Sequence, residues 1–199
     1  MWAIGNGESR TSIKIDLLEG PKVGCNALWR DYYTDYLVCV DKRMMSECLR
    51  ANVNDKGTLL YTRPDWYDRF IAQRVRPVPP LPYKGDERAD EPFHWGSGPY
   101  AILIAAMYAK EGFVNLIGFD LYSKDKLVNN IYKDTPNYSV SDKRAVDPRY
   151  WIHQTGMVFN CFPKIQFVIY QTDDWEIPTA WNYPNVTVDN ISNIIYNKE

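Results

Sequence analysis

The sequence predicts an α/β fold, with a mostly parallel sheet and helices on both of its faces. Short, continuously apolar segments recur along the chain, as expected of parallel strands that are covered on both faces. Helical patterns stand between these segments, so that strand and helix alternate. With 199 residues and no linker-like stretch, we expect one Rossmann-like domain over 1–199.

The clearest strand is "IQFVIY", because it combines β-branched and aromatic residues without a break. The predicted strands are 1–4, 22–25, 36–40, 59–62, 114–118 and 165–170. Helices are predicted at 42–52, 98–111 and 148–162, the last with Pro148 in its first turn. Two segments, 74–92 and 123–147, interrupt the alternation and are predicted to be long, lid-like, mobile loops.

Composition excludes some classes of partner and compartment. A net charge of -2 gives no overall attraction to nucleic acid or to an anionic membrane. The longest apolar stretch, near 100–109, is too short to span a bilayer, and no leader segment is visible. The four cysteines lack metal or redox spacing, so we expect reduced thiols and a cytoplasmic protein.

Polar, glycine-rich turns follow several predicted strands. They are Gly5 to Ser9, the Asn26 turn and the 118–122 turn with Asp120, and a fourth element, Gly96-Ser97-Gly98, opens a helix. Ligands of open α/β sheets bind at the carboxyl ends of strands, and helix N-termini bind anions. Each turn alone is commonly just a tight turn or a cap. Together they predict a nucleotide pocket.

The order of these motifs resembles a known family. "GNGES" at 5–9, "CN" at 25–26, "SG" at 97–98 and "LIGFDLY" at 116–122 resemble the bacterial sialyltransferases that use CMP-sialic acid. They are also similar to the Rossmann-like group around those enzymes, including small proteins of tailed phages. The resemblance covers roughly residues 1–170 and implies a metal-independent, nucleotide-sugar-dependent glycosyltransferase. Its donor would be a substrate, with no further cofactor, and its acceptor a glycan or another hydroxyl compound.

The resemblance also implies roles for individual residues. Tyr122 and Tyr132 would contact the donor phosphate. His153 would be the general base, since an imidazole titrates near neutral pH, although a half-exposed histidine without a catalytic role is an equal alternative. His94 is an alternative lining residue of the base pocket. The nucleotide-binding residues would be Gly5, Asn6, Gly7, Glu8, Ser9, Asn26, Ser97, Gly98 and Asp120.

Two residues of the first turn depart from the family pattern. Glu8 puts a carboxylate beside the expected phosphate, which is unfavourable unless its side chain points away or accepts hydrogen bonds from the ribose. Arg10 would offset that charge or bind the phosphate itself. Two other functions stay open: a magnesium-dependent diphosphate transferase, and a non-enzymatic phage structural or interaction protein. A homo-oligomer, or action in an infected bacterial host, is compatible with each of them.

Overall fold

A three-residue strand, Trp2–Ile4 (β1), lies at the centre of an eight-stranded parallel sheet in the computed structural model, which describes residues 1–71, 74–123 and 125–196. The other strands are β2 (Lys22–Cys25), β3 (Tyr36–Val38), β4 (Leu59–Thr62), β5 (Arg76–Pro77), β6 (Gly112–Ile117), β7 (Ile165–Gln171) and β8 (Val186–Asn190). The helices are α1 (Lys42–Arg50), α2 (Pro64–Phe70), α3 (Ser97–Ala109) and α4 (Arg149–Cys161).

The strand order reverses beside β1. The sheet order is β5-β4-β3-β2-β1-β6-β7-β8, so the first half of the chain builds the sheet outward on one side of β1 and the second half on the other. Ile4 is in register with Gly24 of β2 and with Ile117 of β6. The turns that follow these strands therefore meet at one edge, where the reversal opens a crevice.

Helices cover both faces of the sheet. Ala3 of β1 packs on the side that carries α3 and α4, whereas its neighbours Trp2 and Ile4 face the side that carries α1 and the end of α2. This alternation follows from the two-residue period of a strand. The predicted α/β fold, a Rossmann-like parallel sheet with helices on both faces, is confirmed.

Helix α3 lies in the core, which explains why its sequence is apolar on all sides. From Tyr100 to Ala106 every residue is at most 1% exposed. The helix packs against β1, β2, β3 and β6 on one side and against α4 on another. A rigid, buried helix thus presents its first turn, which begins at Ser97, to the carboxyl edge of the sheet.

The sequence-based assignments differ from the structure at the sheet edges. Strand β5 lies within 74–92, so the prediction of a loop over that whole segment was wrong. Strand β8 and helix α2 were not predicted. In the segment 123–147 the structure describes 123 and 125–147, and these residues form no helix or strand. Leu127 and Arg144 form an isolated antiparallel bridge there.

The four cysteines are free thiols, and three of them are buried in the core. Cys48 lies on α1 and is fully buried. Within the described ranges, no helix has the length and apolar character needed to cross a membrane.

Candidate functional site

A cavity of about 310 Å³ opens where the strand order reverses, and its volume lies within the range of small-molecule sites. All four predicted turns contribute to its wall. The lining consists of 5–7, 25–26, 40–41, 96–99, 118–121 and 129–130, with Trp151 and Thr155 of α4.

The turns after β1 and β6 approach each other through glycines. The Gly5 N–H donates to the Ile117 carbonyl over 2.9 Å, and the Gly7 N–H donates to the Gly118 carbonyl over 2.8 Å. A Cβ atom on Gly5 would lie 2.2 Å from the Gly118 carbonyl oxygen, and Gly118 itself has φ +69°. Larger residues would therefore separate the two turns that form the floor of the cavity.

Ser97 joins the ends of three elements. Its Oγ donates to Asn26 Oδ1 over 2.8 Å and accepts from the Val40 N–H over 3.1 Å. In this arrangement the hydroxyl accepts from Val40 and gives its single proton to the amide oxygen of Asn26. The Asn26 Nδ2 group has no acceptor in the described part of the chain. Asn26, whose backbone φ is +50°, lines the cavity. Its side-chain NH₂ group is available there as a hydrogen-bond donor.

The first turn of α3 adds main-chain donors. The N–H groups of Ser97 and Gly98 have no acceptor among the described residues, and Pro99 carries no N–H. Unpaired N–H groups and the helix dipole make this end of α3 positive. Gly96, the residue before the helix, donates its own N–H to Gln154 Oε1 over 3.3 Å, which fixes the helix start against α4.

The side chain of Asn6 is committed to the protein. Its Nδ2 donates to the Cys25 carbonyl over 3.0 Å and to Tyr138 Oη over 3.2 Å. Its Oδ1 accepts from Arg10 Nη2 over 3.2 Å. Only the main-chain N–H of Asn6 is without an acceptor within the described ranges. Asn6 thus offers the cavity a backbone donor rather than its amide.

Asp120 also uses its side chain internally, although it lines the cavity. Its carboxylate accepts from Ser9 Oγ at 2.5 Å, from the Ser9 N–H at 2.9 Å and from Gln171 Nε2 at 2.9 Å. The side chain is buried, so these donors compensate for its desolvation. Asp120 therefore holds the first turn against β7, and Ser9 faces Asp120 rather than the first cavity.

Arg10 and Tyr132, both predicted to contact phosphate, lie outside the cavity wall. Arg10 is 2% exposed, and its Nε donates to the Gly5 carbonyl over 2.7 Å. The Tyr132 hydroxyl donates to Asp31 Oδ2 over 2.7 Å, and burial is the main cause that raises its pKa. Arg10 and Tyr132 therefore stabilise the first turn, and the described part of the 123–147 segment, outside the cavity wall.

Two further predicted residues also point elsewhere. Glu8 Oε1 lies 2.5 Å from Lys133 Nζ, so its carboxylate is paired away from the cavity. The Tyr122 hydroxyl donates to the Glu176 carbonyl over 2.6 Å. Tyr122 lines a second cavity instead of the first.

His153 is separated from the first cavity by its own helix. Its Nε2 lies 2.6 Å from Asp90 Oδ1, whereas Trp151 and Thr155 of the same helix line the cavity. A residue two positions away on a helix is rotated by about 200°, so His153 faces the opposite side. His94 lies 3.2 Å from Glu91 Oε2 and does not line the cavity either. The catalytic role of His153 stays a prediction without geometric support.

Several residues of the wall were missed by the sequence analysis. Val40 and Asp41 lie two and three residues after the end of β3, so the strand-end rule that selected Asn26 would have found them. Trp151 and Thr155 are four residues apart on one face of α4, a spacing visible in the sequence. Asn129 and Asn130 belong to an irregular segment, where no periodic signal exists.

Charge and reactivity limit what the first cavity can bind. Among its described lining residues there is no Lys, Arg or His, and two are carboxylates, Asp41 and Asp120. Cys25 also lines the cavity, but burial raises the pKa of its thiol to about 12, with Arg10 opposing that shift. The thiol stays protonated at neutral pH and is a poor nucleophile.

A second cavity, of about 380 Å³, adjoins the first and shares Asp120 and Asn129 with it. It lies at the ends of β6 and β7. Its lining residues are mostly of polar type and include Ser9, Tyr122, Asp125, Gln171, Thr172 and Trp175. In the described ranges, no group of three or more His, Cys, Asp or Glu side chains is arranged to hold a metal ion.

Comparison with known proteins adds no relative. No family model, no curated protein and no solved structure matches the chain. The relationship to the sialyltransferases therefore stays a prediction that rests on the short motifs.

Proposed function

We propose that the first cavity binds a nucleotide-linked donor and that the protein is a metal-independent glycosyltransferase of the sialyltransferase-like kind. One observation carries the proposal: donors that have no acceptor among the described residues converge on a single cavity at the strand-order reversal. These donors are Asn26 Nδ2 and the N–H groups of Asn6, Ser97 and Gly98. Such a set matches the oxygen atoms of a base and a phosphate.

The charge of the wall favours a donor with a single phosphate. Main-chain N–H groups and one helix terminus stabilise a small negative charge. A diphosphate would bring more charge next to Asp41 and Asp120 without a cationic side chain in the described wall. A CMP-linked sugar, in which one phosphate bears one negative charge, is therefore the class of donor that we propose.

The proposed reaction breaks the bond between the sugar carbon and the phosphate oxygen, and the electron pair leaves with the phosphate. The acceptor oxygen forms the new bond and loses its proton to a base. The first turn of α3 would stabilise the charge that grows on the leaving phosphate. The proposal does not depend on His153 as that base, because His153 faces the other side of α4.

The test measures the binding of cytidine, CMP, CDP and CTP, with and without magnesium, through the change in thermal unfolding that each ligand produces. We expect CMP to bind without magnesium and to raise stability by about 2.7 kcal/mol at 100 times its dissociation constant. Affinity should fall from CMP to CTP in the absence of magnesium. UMP, GMP and AMP serve as controls for the base.

Two outcomes would contradict the proposal. Binding of CDP or CTP that requires magnesium would favour the diphosphate-transferring alternative. No binding of any nucleotide at millimolar concentration would favour a structural or interaction role.

Release of CMP from CMP-sialic acid in the presence of a mixed glycan acceptor, measured without metal, then tests the transfer itself.

A further inference from the structure

We propose that Trp151 and Thr155 of α4 complete a phosphate-binding site at the first turn of α3, so that the phosphate of the donor is held between the two helices. Both residues line the first cavity, and neither belongs to the glycine-rich turns that predicted it. That this phosphate belongs to a nucleotide rests on the proposed function. The binding of a phosphate group between α3 and α4 does not.

Thr155 brings a buried hydroxyl to the wall of the cavity. The residue is only 2% exposed, and its Oγ1 has no hydrogen-bond partner among the described residues. In the same part of the chain, the side-chain oxygens that are fully enclosed without a partner are Thr34 Oγ1 and Tyr100 Oη. Thr155 Oγ1 is not one of them, so its remaining accessible surface opens into the cavity that the residue lines. A ligand there would supply the partner that this hydroxyl lacks.

Trp151 places its indole nitrogen beside the residue that precedes α3. A Cβ atom on Gly96 would lie 2.9 Å from Trp151 Nε1 and 3.1 Å from Trp151 Cδ1, so the nitrogen edge of the indole packs against Gly96. Trp151 Nε1 has no acceptor within the described ranges. Since Trp151 also lines the cavity, its N–H is a further donor close to the start of α3.

The two side chains lie on one face of α4, beside the start of α3. Residues four apart on a helix point in nearly the same direction. Gln154, which lies between them in the sequence, accepts from the Gly96 N–H and thereby holds α4 against the chain that leads into α3. Four donors border this end of α3: the main-chain N–H groups of Ser97 and Gly98, the indole N–H of Trp151 and the hydroxyl of Thr155.

The composition of this donor set favours a phosphate group over a hydroxyl group. Main-chain and indole N–H groups only donate, so three of the four groups need ligand oxygens that accept. A phosphate offers several such oxygens, and the N-terminus of α3 stabilises its negative charge. A ligand hydroxyl offers a single oxygen, which cannot serve donors on two helices.

The two carboxylates of the described cavity wall are paired within the protein. Asp41 caps α1, where its Oδ1 accepts from the N–H groups of Arg43 and Met44. Arg43 Nε also lies 3.9 Å from that oxygen. The Asp120 carboxylate accepts from the hydroxyl and the N–H of Ser9. These partners reduce the repulsion between the wall and a single bound phosphate.

The experiment compares CMP with cytidine, by calorimetric titration, on variants that differ by one polar group. Thr155→Val removes the hydroxyl and keeps the shape of the side chain, so we expect CMP affinity to fall about tenfold or more and cytidine affinity to stay within about twofold. Thr155→Ser restores a hydroxyl and should largely restore CMP affinity. Thr34→Val is the matched control, because Thr34 Oγ1 is also buried without a partner but lies outside the cavity. It should change neither affinity.

Urea unfolding separates a ligand contact from a structural role. Removing a buried hydroxyl that has no partner costs the free protein no hydrogen bond. Without ligand, Thr155→Val and Thr34→Val should therefore be at least as stable as the wild type. Lower stability of Thr155→Val, with CMP affinity unchanged, would show a structural hydroxyl and would overturn the inference.

Trp151→Phe removes the indole N–H and assigns its signal in ¹⁵N NMR. Inorganic phosphate alone should shift this signal together with the main-chain amide signals of Ser97 and Gly98, whereas sodium chloride at the same ionic strength should not. In Trp151→Phe, CMP affinity should fall about tenfold. Trp66→Phe, on α2 and outside the cavity, should leave CMP affinity unchanged.

Failure of the phosphate site can be told from failure of the proposed function. Wild-type CMP affinity in both Thr155→Val and Trp151→Phe, or equal losses of CMP and cytidine affinity, would contradict only the phosphate site. A Trp151 signal that responds to phosphate no more than to chloride would also overturn it. A phosphate-dependent shift of that signal in a protein that binds no nucleotide would support the site and contradict only the proposed function.

Discussion

Ser97 Oγ lies 2.8 Å from Asn26 Oδ1, and this hydrogen bond orients the amide that lines the first cavity. The bond joins the first turn of α3 to the end of β2. Since it occupies the amide oxygen, the Nδ2 group is left for a ligand. The binding properties of the cavity therefore depend on a contact between two elements that are 71 residues apart in the sequence.

Replacing Asn26 by Asp should impair binding more than folding. The aspartate retains an acceptor for Ser97 and tolerates the left-handed backbone, but it removes the free N–H donors and adds a negative charge. We expect CMP affinity to fall about tenfold or more, measured by calorimetric titration. Asn52→Asp is the matched control, because Asn52 is exposed and has a similar φ of 53°. Equal losses in the two variants would contradict the assignment.

Ser97→Ala should lower both stability and affinity. It leaves the Val40 N–H without its acceptor and frees the Asn26 amide to rotate. We expect a loss of about 1–2 kcal/mol in the free energy of unfolding in urea, together with weaker CMP binding. Ser46→Ala removes a hydroxyl on α1 that donates to the Lys42 carbonyl, and should change neither quantity. Wild-type affinity in Ser97→Ala would argue against this bond as the orienting contact.

Gly7→Ala tests the contact between the first turn and Asp120. Gly7 has an ordinary φ of −66°, so an alanine there is not strained, but its Cβ would lie 2.4 Å from the Asp120 Cγ. We expect a loss of about 1–3 kcal/mol from this overlap. In the Asp120→Ala background the same substitution should be nearly neutral, as a double-mutant cycle would report. The same loss in both backgrounds would refute the steric explanation.

The hydrogen-bonded environment of the Asp90 carboxyl should make stability depend on pH. Burial raises the pKa of the Asp90 carboxyl. Hydrogen bonds from His153, from the Glu87 N–H and from the Tyr83 hydroxyl lower the pKa by more than burial raises it, so the pKa is below the ordinary value. A lowered pKa in the folded state stabilises the protein above the unfolded pKa of about 3.9, and this contribution is lost as the pH falls through the folded value.

Asp90→Asn should therefore be less stable than the wild type at pH 7, and the difference should shrink below about pH 4. His153→Gln should cost about 1 kcal/mol at pH 7 and leave CMP affinity unchanged. Urea unfolding over a pH series checks both expectations. A fall in turnover of 100-fold or more in His153→Gln, at unchanged affinity, would instead support the general-base role implied by the sequence resemblance.

The sequence predicted the central elements well because their signals are local. The apolar segments 22–25 and 59–62 match β2 and β4, since buried parallel strands are apolar on both faces. Strand β5 is two residues long and includes a proline, and none of the residues of β8 is buried. Their pairing with the sheet is decided by tertiary contacts that no local pattern contains.

The candidate site was predicted by position but not by side-chain direction. Strand-end turns must meet at one edge of a parallel sheet, so the grouping of Gly5, Asn26 and Asp120 followed from topology. Which atoms face the cavity depends on partners far along the chain. Arg10 turns inward because the Gly5 carbonyl and Tyr132 accept its hydrogen bonds, and the sequence carries no sign of those partners.

The most direct test of the account is a ¹H–¹⁵N NMR titration of the protein with CMP in the absence of metal. The account predicts that the side-chain NH₂ signals of Asn26 and the main-chain amide signals of Ser97 and Gly98 shift together and saturate with one dissociation constant. In Asn26→Asp the Ser97 and Gly98 shifts should require at least tenfold more CMP. Signal shifts that do not include these three residues, or no signal shifts at millimolar CMP, would contradict the account.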